Sequence, residues 1–358
     1  MRIAIVSDIH ANLAAFEAVI AHARSMRFDS MICLGDVVGY GPDPLECVDL
    51  VRSTCEWSLL GNHDFAALYE PTNFNPVARN AAFWTRGRVF GATTPAEIEQ
   101  WVAELDARRA AGEIDASDFA RRTAMMRDPK SRVDFLFSIS PRHVMLDRYI
   151  CVHGSPTRPV NEYLFPTDAE QNPHRIDRSF RMLSLPAVNG MPQRVSALVG
   201  HTHVPGFFLE DREFSDTKPA AAGASLTAAR GRSDVAVEWV GVPVDSSGWT
   251  PSEDEMPRGM RFILNPGSVG QPRDRDPRAS YAILDTGLGA SAGASVGASL
   301  GASLGASIGA GAGDGSQDTF TFHRVEYDIA RTQKKLSDLR QAGADLDPWL
   351  AERLQLGQ

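Results

Sequence analysis

Asp8 and His10 stand two residues apart at the end of an apolar run, and His201 and His203 repeat that spacing. On an extended strand end, residues two apart leave the same face, so each pair can grip one ion. Asp36 closes a second run, Asn62 and His63 a third, and His153 a fourth. Carboxylate, amide oxygen and imidazole mixed in this way suit Mn, Fe, Zn, Co or Ni. They suit Ca or Mg less well, and thiolate-seeking metals not at all. Of the nine histidines, His10, His63, His153, His201 and His203 lie in these places. His22, His143, His174 and His323 lie outside any such context and read as surface or core residues. An isolated Asp-x-His is usually a loop or a helix cap, and an isolated Gly-Asp a turn. The ordered combination is what points to a metal centre.

These residues need strands to hold them. Six short apolar runs end in small or metal-competent polar residues: Ile3–His10, Met31–Asp36, Trp57–Asp64, Tyr149–Ser155, Ala197–His203 and Phe262–Ser268. Such runs, bounded by Gly, Asn or Asp, read as core strands. Their common polar ending predicts one shared sheet edge, where chemistry gathers in open α/β sheets. Leu13, Phe16, Val19, Ile20 and Ala23 recur at helical spacing behind a plausible cap, Asn12. A second helix begins on Pro44. The order β-α-β-α-β thus fills Met1 to Gly61.

From Asp64 to His153 the pattern turns helical at Val77–Phe90, Pro95–Arg109 and Asp115–Met126, with Asp115 or Ser117 as cap. This predicts a helical cap at about residues 70–145, either a lid over the site or a stabilising side layer. Pro219–Gly231 and Asp245–Pro257 flank one strand, Asp234–Val242, and read as a long hairpin insertion. Gly289–Ala312 repeats Gly-Ala-Ser-x every four residues. A glycine in each unit opposes a helix by about 1 kcal/mol apiece, and the scarcity of large side chains denies it a core. With strands on either side, it reads as an overgrown hairpin loop. The expected division is a core over 1–285, a low-complexity insert over 286–316, and a last strand with helices at Ile329–Gln341 and Pro348–Leu356 over 317–358.

Lys and Arg number 36 against 45 Asp and Glu, a net charge of −9, which argues against a general nucleic-acid groove or an anionic membrane surface. No apolar run approaches the ~20 residues that span a bilayer. The opening residues reach Asp8 and His10 too soon for a signal peptide. The four cysteines form no CxxC pair. A cytoplasmic protein with reduced thiols is expected.

The series Asp8-Ile9-His10, Gly35-Asp36-Val37-Val38-Gly39, Gly61-Asn62-His63-Asp64, His153-Gly154 and Gly200-His201-Thr202-His203 resembles the calcineurin-like metallophosphoesterase superfamily. GDVVGYGPDPLEC, CVHGSP and NPGSVGQPRD resemble its compact bacterial and archaeal branch, whose members are described as phosphoesterases or diadenosine-tetraphosphatase-like proteins. The resemblance implies a four-layer α/β/β/α sandwich with a dinuclear metal centre. One divalent ion would take Asp8, His10, Asp36 and His203, and the other Asp36, Asn62, His153 and His201. It also implies hydroxide attack on phosphorus, with His63 protonating the leaving oxygen and Asp64 orienting and charging the imidazole. The substrate would be a phosphodiester, nucleotide or phosphomonoester.

Two departures bear on substrate. Protein phosphatases and larger diadenosine tetraphosphatases of this superfamily carry arginines where this chain has Tyr40 and Leu60. Phosphate must be gripped by the metals or by arginines elsewhere, with Arg273 the first candidate, Arg158 the second, and a plain surface role the alternative for each. This weakens the readings as a protein phosphatase or a dinucleoside polyphosphate hydrolase. A metal-bearing scaffold or nucleotide-binding regulator is the non-enzymatic alternative, and the complete ligand set speaks against it. A metallo-amidase is a further class, for which no HExxH helix is present.

Overall fold

The computed structural model describes residues 1–91, 93–188, 191–210, 237–256, 260–286 and 318–358. The expectations for Pro219–Gly231 and Gly289–Ala312 lie outside the described residues.

The strand-forming runs do not share one sheet edge. They divide between two six-stranded sheets. In the first, β1 (Arg2–Val6), β2 (Ser30–Cys33) and β3 (Trp57–Ser58) are parallel neighbours. In the second, β5 (Tyr149–Val152), β8 (Ser196–Leu198) and β12 (Phe262–Asn265) are parallel. Antiparallel strands complete each sheet. On the first, β13 (Ala279–Asp285) pairs with β1, β14 (Thr319–Val325) with β13, and β11 (Gly248–Trp249) with β14. On the second, β4 (Arg142–Met145) pairs with β5, β9 (Gly206–Glu210) with β12, and β10 (Val237–Gly241) with β9. A separate ribbon joins β6 (Ser184–Val188) and β7 (Met191–Arg194). Runs buried on both faces carry no mark of which runs they pair with, so periodicity alone could not separate the sheets.

Alternation within each run then sets the layers. Ile3 and Ile5 of β1 point into a core shared with Leu198, Leu264, Phe207, Phe320 and Phe322, which is the space between the sheets. Ala4 and Val6 point the other way, onto Phe16 and Val19 of α1 (Leu13–Ser25) and Leu45 and Val48 of α2 (Pro44–Thr54). On the far side, Ile150, Val152, Ala197 and Ile263 pack on Ile176 and Phe180 of α9 (Pro173–Met182), which follows the short α8 (Asp168–Gln171). The result is the four-layer α/β/β/α sandwich.

The helix boundaries follow local chemistry. Asn12 caps α1 by accepting the Ala15 amide (3.2 Å). After α3 (Asn62–Leu68), α4 (Pro76–Phe90) starts behind an Asn75 cap, α5 (Pro95–Ala110) behind a Thr94–Glu97 capping box, and α6 (Ala116–Met126) behind Asp115. A further helix, α7 (Pro129–Ser138), was not anticipated. Ion pairs tie this segment to the first helical layer. Glu17 of α1 receives Arg108 and Arg122 (both 2.6 Å), and Asp49 of α2 receives Arg132 of α7 (2.7 Å). The segment reaches the polar strand ends at Phe74, whose ring lies 4.7 Å from that of His63. Finally α10 (Ile329–Gln341) and α11 (Trp349–Leu356) pack through Leu336, Leu350 and Leu354 against Tyr40, Ala78 and Ala81.

Candidate metal centre

The ends of both parallel triplets meet at one point between the sheets. There Asp8, His10, Asp36, Asn62, His63, His153, His201 and His203 are all buried. One ligand atom each from Asp8, His10 and His203 lies within 4.8 Å of the others. The same holds for Asp36, His153 and His201, and for His10, Asp36 and His63.

The loops that present these groups are strained. Asp8, His10, Asp36, His201 and His203 all adopt left-handed backbone, with φ of 54°, 48°, 54°, 69° and 63°. Each such conformation costs free energy in a non-glycine residue and persists only where the surroundings over-determine it. Here the determinants are hydrogen bonds between loops. The His10 amide donates to the Asp36 carbonyl (2.9 Å) and the Asp8 amide to the Gly35 carbonyl (3.0 Å). Gly61 has to be glycine, because a Cβ there would meet Asp36 Oδ1 at 2.0 Å.

A clasp from the segment after β12 completes the support. Asn265 donates to the Gly200 carbonyl and to Thr202 Oγ1 (both 2.7 Å) while accepting the Gly267 amide (2.8 Å). Ser268 Oγ donates to the Asp8 carbonyl (2.8 Å) and accepts the Gln271 amide (2.8 Å). The NPGSVGQPRD motif thus fixes both paired-ligand loops. Its role in support was not read from the sequence, although the motif itself stood out.

The chemistry of the cluster fits divalent metal. His153 Nδ1 faces the Leu34 carbonyl (2.9 Å) and His203 Nδ1 the Gln271 carbonyl (2.5 Å). Each carbonyl accepts a ring N–H, which leaves Nε2 of both rings turned inward as a donor of electrons. His203 Nε2 meets His10 Nε2 at 3.1 Å, and His153 Nε2 meets Asn62 Oδ1 at 3.1 Å. Asp36 Oδ2 and His201 Nε2 are buried without a hydrogen-bond partner. Electron-pair donors turned toward one another at such distances call for a shared positive charge.

The titration of the cluster shows the same demand. Burial works to raise Asp8 and Asp36, but His203 and His153 for the first, and His153 and His63 for the second, hold both carboxyls below their ordinary range. Burial works to lower His153, yet Asp36 and Asp8 outweigh it and hold the ring up at about 9. Two carboxylates that demand this much charge are the seat a dication would take.

His63 and Asp64 do not form a couple. Asp64 accepts the amides of Val38 (3.1 Å) and Gly61 (3.0 Å), while His63 Nδ1 is buried with no hydrogen-bond partner. Three rings surround the His63 imidazole. Tyr40 lies 4.2 Å, Phe74 4.7 Å and His10 4.8 Å from the His63 ring. The His63 amide donates to Asp36 Oδ1 (2.8 Å). Burial, with Arg273 and His203 adding and Asp36 opposing, lowers the His63 pKa to about 4. Asp64 is pushed up to about 7 by burial and by Asp36.

Of the two arginine candidates, Arg273 reaches the cluster. Its charge adds to burial in lowering His10, His63, His201 and His203. Arg158 is exposed, its backbone closes a turn with Ser155, and its charge lies near Glu162. Sequence reasoning missed Tyr163, whose ring stacks on His201 at 3.6 Å. Nothing in the local pattern marks it.

The chain is similar to known proteins. Residues 1–220 match the family described as calcineurin-like phosphoesterase. A metallophosphoesterase from Sphaerobacter thermophilus of known crystal structure is 32% identical, with both chains fully covered and a TM-score of 0.58. An uncharacterized protein of Methanocaldococcus jannaschii is 26% identical over 359 residues, covering 99% of this chain and 98% of that one. Among the described residues, no helix is long and apolar enough to cross a membrane. With a buried Asp/His cluster at paired strand ends and a family match over more than half its length, the chain belongs to the calcineurin-like phosphoesterases and is a metal-dependent phosphoester hydrolase.

Proposed function

We propose that the chain hydrolyses a phosphodiester, nucleotide or phosphomonoester at two divalent cations. Asp8, His10, Asp36 and His203 would hold one ion, and Asp36, Asn62, His153 and His201 the other, with Asp36 between them. When bound, such ions supply an activated water and neutralise charge on the phosphoryl oxygens. The observation that carries the reading is the pair of buried triads, Asp8–His10–His203 and Asp36–His153–His201, with unpartnered acceptors aimed inward.

His63 is the proton donor to the leaving oxygen. At a pKa of about 4 the free imidazole is neutral near pH 7, because burial and Arg273 outweigh Asp36. An anionic phosphoryl group beside the ring reverses that balance, so the ring takes up its proton with substrate. Rings on several sides hold the imidazole in one orientation. General-acid help of this kind contributes about 10²–10⁴-fold.

The test is a panel of bis-nitrophenyl phosphate, nitrophenyl phosphate, cyclic nucleotides and dinucleoside polyphosphates, with Mn, Ni, Zn and Mg added separately to chelator-treated protein. Metal-dependent release of product from at least one ester is expected. No turnover with any metal would overturn the reading and leave the scaffold alternative.

A further inference from the structure

The segment after β5 carries aromatic rings from the cluster out to solvent. Tyr163 stacks on His201, with ring centres 3.6 Å apart and planes 21° from parallel. Phe165 stacks on Tyr163 in turn, at 5.1 Å and 4°. Leu164, between the two, packs into the core with Ile150, Val152 and Ile176. Tyr163 is half-buried, whereas Phe165 is 43% exposed, so the ladder ends in solvent. Among the described residues, Phe165 is the one exposed aromatic ring that ring contacts connect to a member of the Asp/His cluster.

The backbone holds this exposed ring in place from both sides. Before it, the chain is seated on Gly154, the neighbour of His153. The Gly154 amide donates to the Pro159 carbonyl (2.6 Å) and Ser155 Oγ to the Glu162 carboxylate (2.5 Å). A Cβ at Gly154 would meet the Arg158 carbonyl oxygen at 2.7 Å and the Glu162 amide nitrogen at 2.9 Å. After it, the Phe165 amide donates to Asp168 Oδ2 (2.8 Å), a buried carboxylate that also receives Arg175 (3.1 Å). An apolar ring left this open forgoes much of the stabilisation that burial would give it. A fixed aromatic surface loses little freedom when a flat partner settles on it, and such rings serve as stacking platforms for bases.

We propose that Phe165, backed by Tyr163, stacks the base of a nucleotide whose phosphoryl group lies at the Asp/His cluster. This rests on the phosphoesterase reading above and narrows its substrates from phosphoesters in general to nucleotides. The ladder starts at His201, beside the phosphoryl group, and reaches solvent one ring beyond Tyr163. A base laid on Phe165 extends a stack whose last two rings are already nearly parallel. Every base has a π face, so the platform accepts purines and pyrimidines alike.

The probes are adenosine monophosphate and ribose 5-phosphate, which share the phosphoryl group and sugar and differ by the base. Each is measured at fixed free manganese as a competitor of nitrophenyl phosphate hydrolysis. The wild-type protein is expected to hold the nucleotide about ten-fold more tightly than the sugar phosphate. Phe165→Ala should erase that preference while leaving ribose 5-phosphate within about two-fold of wild type, and Phe165→Trp should keep it. Phe165→Leu retains apolar bulk without a π face, so it serves should the alanine variant fold poorly, and the same loss is expected. A base preference that survives both Phe165→Ala and Phe165→Leu, a weakening shared equally by the sugar phosphate, or no preference in the wild type overturns the platform. If the wild-type protein turns over no ester, the phosphoesterase reading fails by itself, and calorimetric binding of the same two probes to the manganese-loaded protein still decides the platform.

Discussion

Asp64 follows His63 in the chain, yet its carboxylate turns away from the imidazole and spans the amides of Val38 (3.1 Å) and Gly61 (3.0 Å). It therefore staples the Asp36 loop to the start of α3. Asp64→Ala leaves two buried amides unsatisfied, at a cost of about 2–3 kcal/mol. Asp64→Asn keeps one acceptor and costs less. If the carboxylate charged the imidazole, Asp64→Asn would move the alkaline limb of the kcat profile, where a general acid loses its proton. The expectation is a lower melting temperature with that limb unmoved. A shift of a full pH unit would return Asp64 to the role expected from the sequence.

Asp36 and His63 make a contrasting pair. Asp36 Oδ1 accepts the His63 amide, and Oδ2 lies 3.3 Å from His153 Nε2 with no hydrogen-bond partner. Asp36→Asn should therefore lose bound metal together with activity. His63→Ala should keep the metal and lose about 10²–10⁴-fold in turnover. A metal held at a thousand times its dissociation constant stabilises the fold by about 4 kcal/mol. A chelator should then lower the melting temperature of wild type and of His63→Ala by on the order of 5 °C. Asp36→Asn should show little response. Equal metal contents in the two variants, measured by elemental analysis, would count against these assignments.

Much of the site was legible because the chemistry restricts residue types. Asp8, His10, Asp36, His153, His201 and His203 each follow an apolar run, and those runs became strands or strand ends. The helices at Asn12, Asn75, Thr94 and Asp115 were legible because caps are local. Long-range relations were not. The division into two sheets leaves no trace in runs buried on both faces. The left-handed backbone of five of the cluster residues contradicts their local propensity and exists only because distant loops clasp them. Tyr163 on His201 and Arg353 on Tyr40 are contacts between remote stretches with no periodic signature. Asn62 and His63 were expected at a strand end and instead open α3, since β3 stops at Ser58.

Asn265 tests the clasp. Its amide holds Gly200 and Thr202, which flank His201, and its oxygen holds Gly267. Asn265→Ala strands three buried polar groups and should cost about 3 kcal/mol. Groups that orient metal-ligating residues typically matter 10–100-fold in metal affinity. The expected outcome is a metal requirement shifted to higher concentration by that factor, with kcat at saturating metal falling less. An unchanged metal titration would mean that the His201–His203 loop holds its left-handed turns without the clasp.

The ion pair of Asp49 and Arg132 separates stability from chemistry. Arg132 is only 2% exposed, and both Asp49 oxygens receive its guanidinium at 2.7–2.9 Å. Burial lifts the Asp49 carboxyl above its ordinary range against the pull of Arg132, so desolvation outweighs attraction at this carboxylate. Removing one partner leaves the other buried and uncompensated, which typically costs 3–5 kcal/mol. Asp49→Ala should therefore lower the melting temperature sharply, whereas the double variant Asp49→Leu with Arg132→Met should recover most of the loss. Because the pair joins α7 to α2 behind the first sheet, KM for a small ester should stay within about two-fold in the double variant. A double variant as unstable as the single one would show that the pair contributes net stability through its geometry, and that desolvation does not decide the balance.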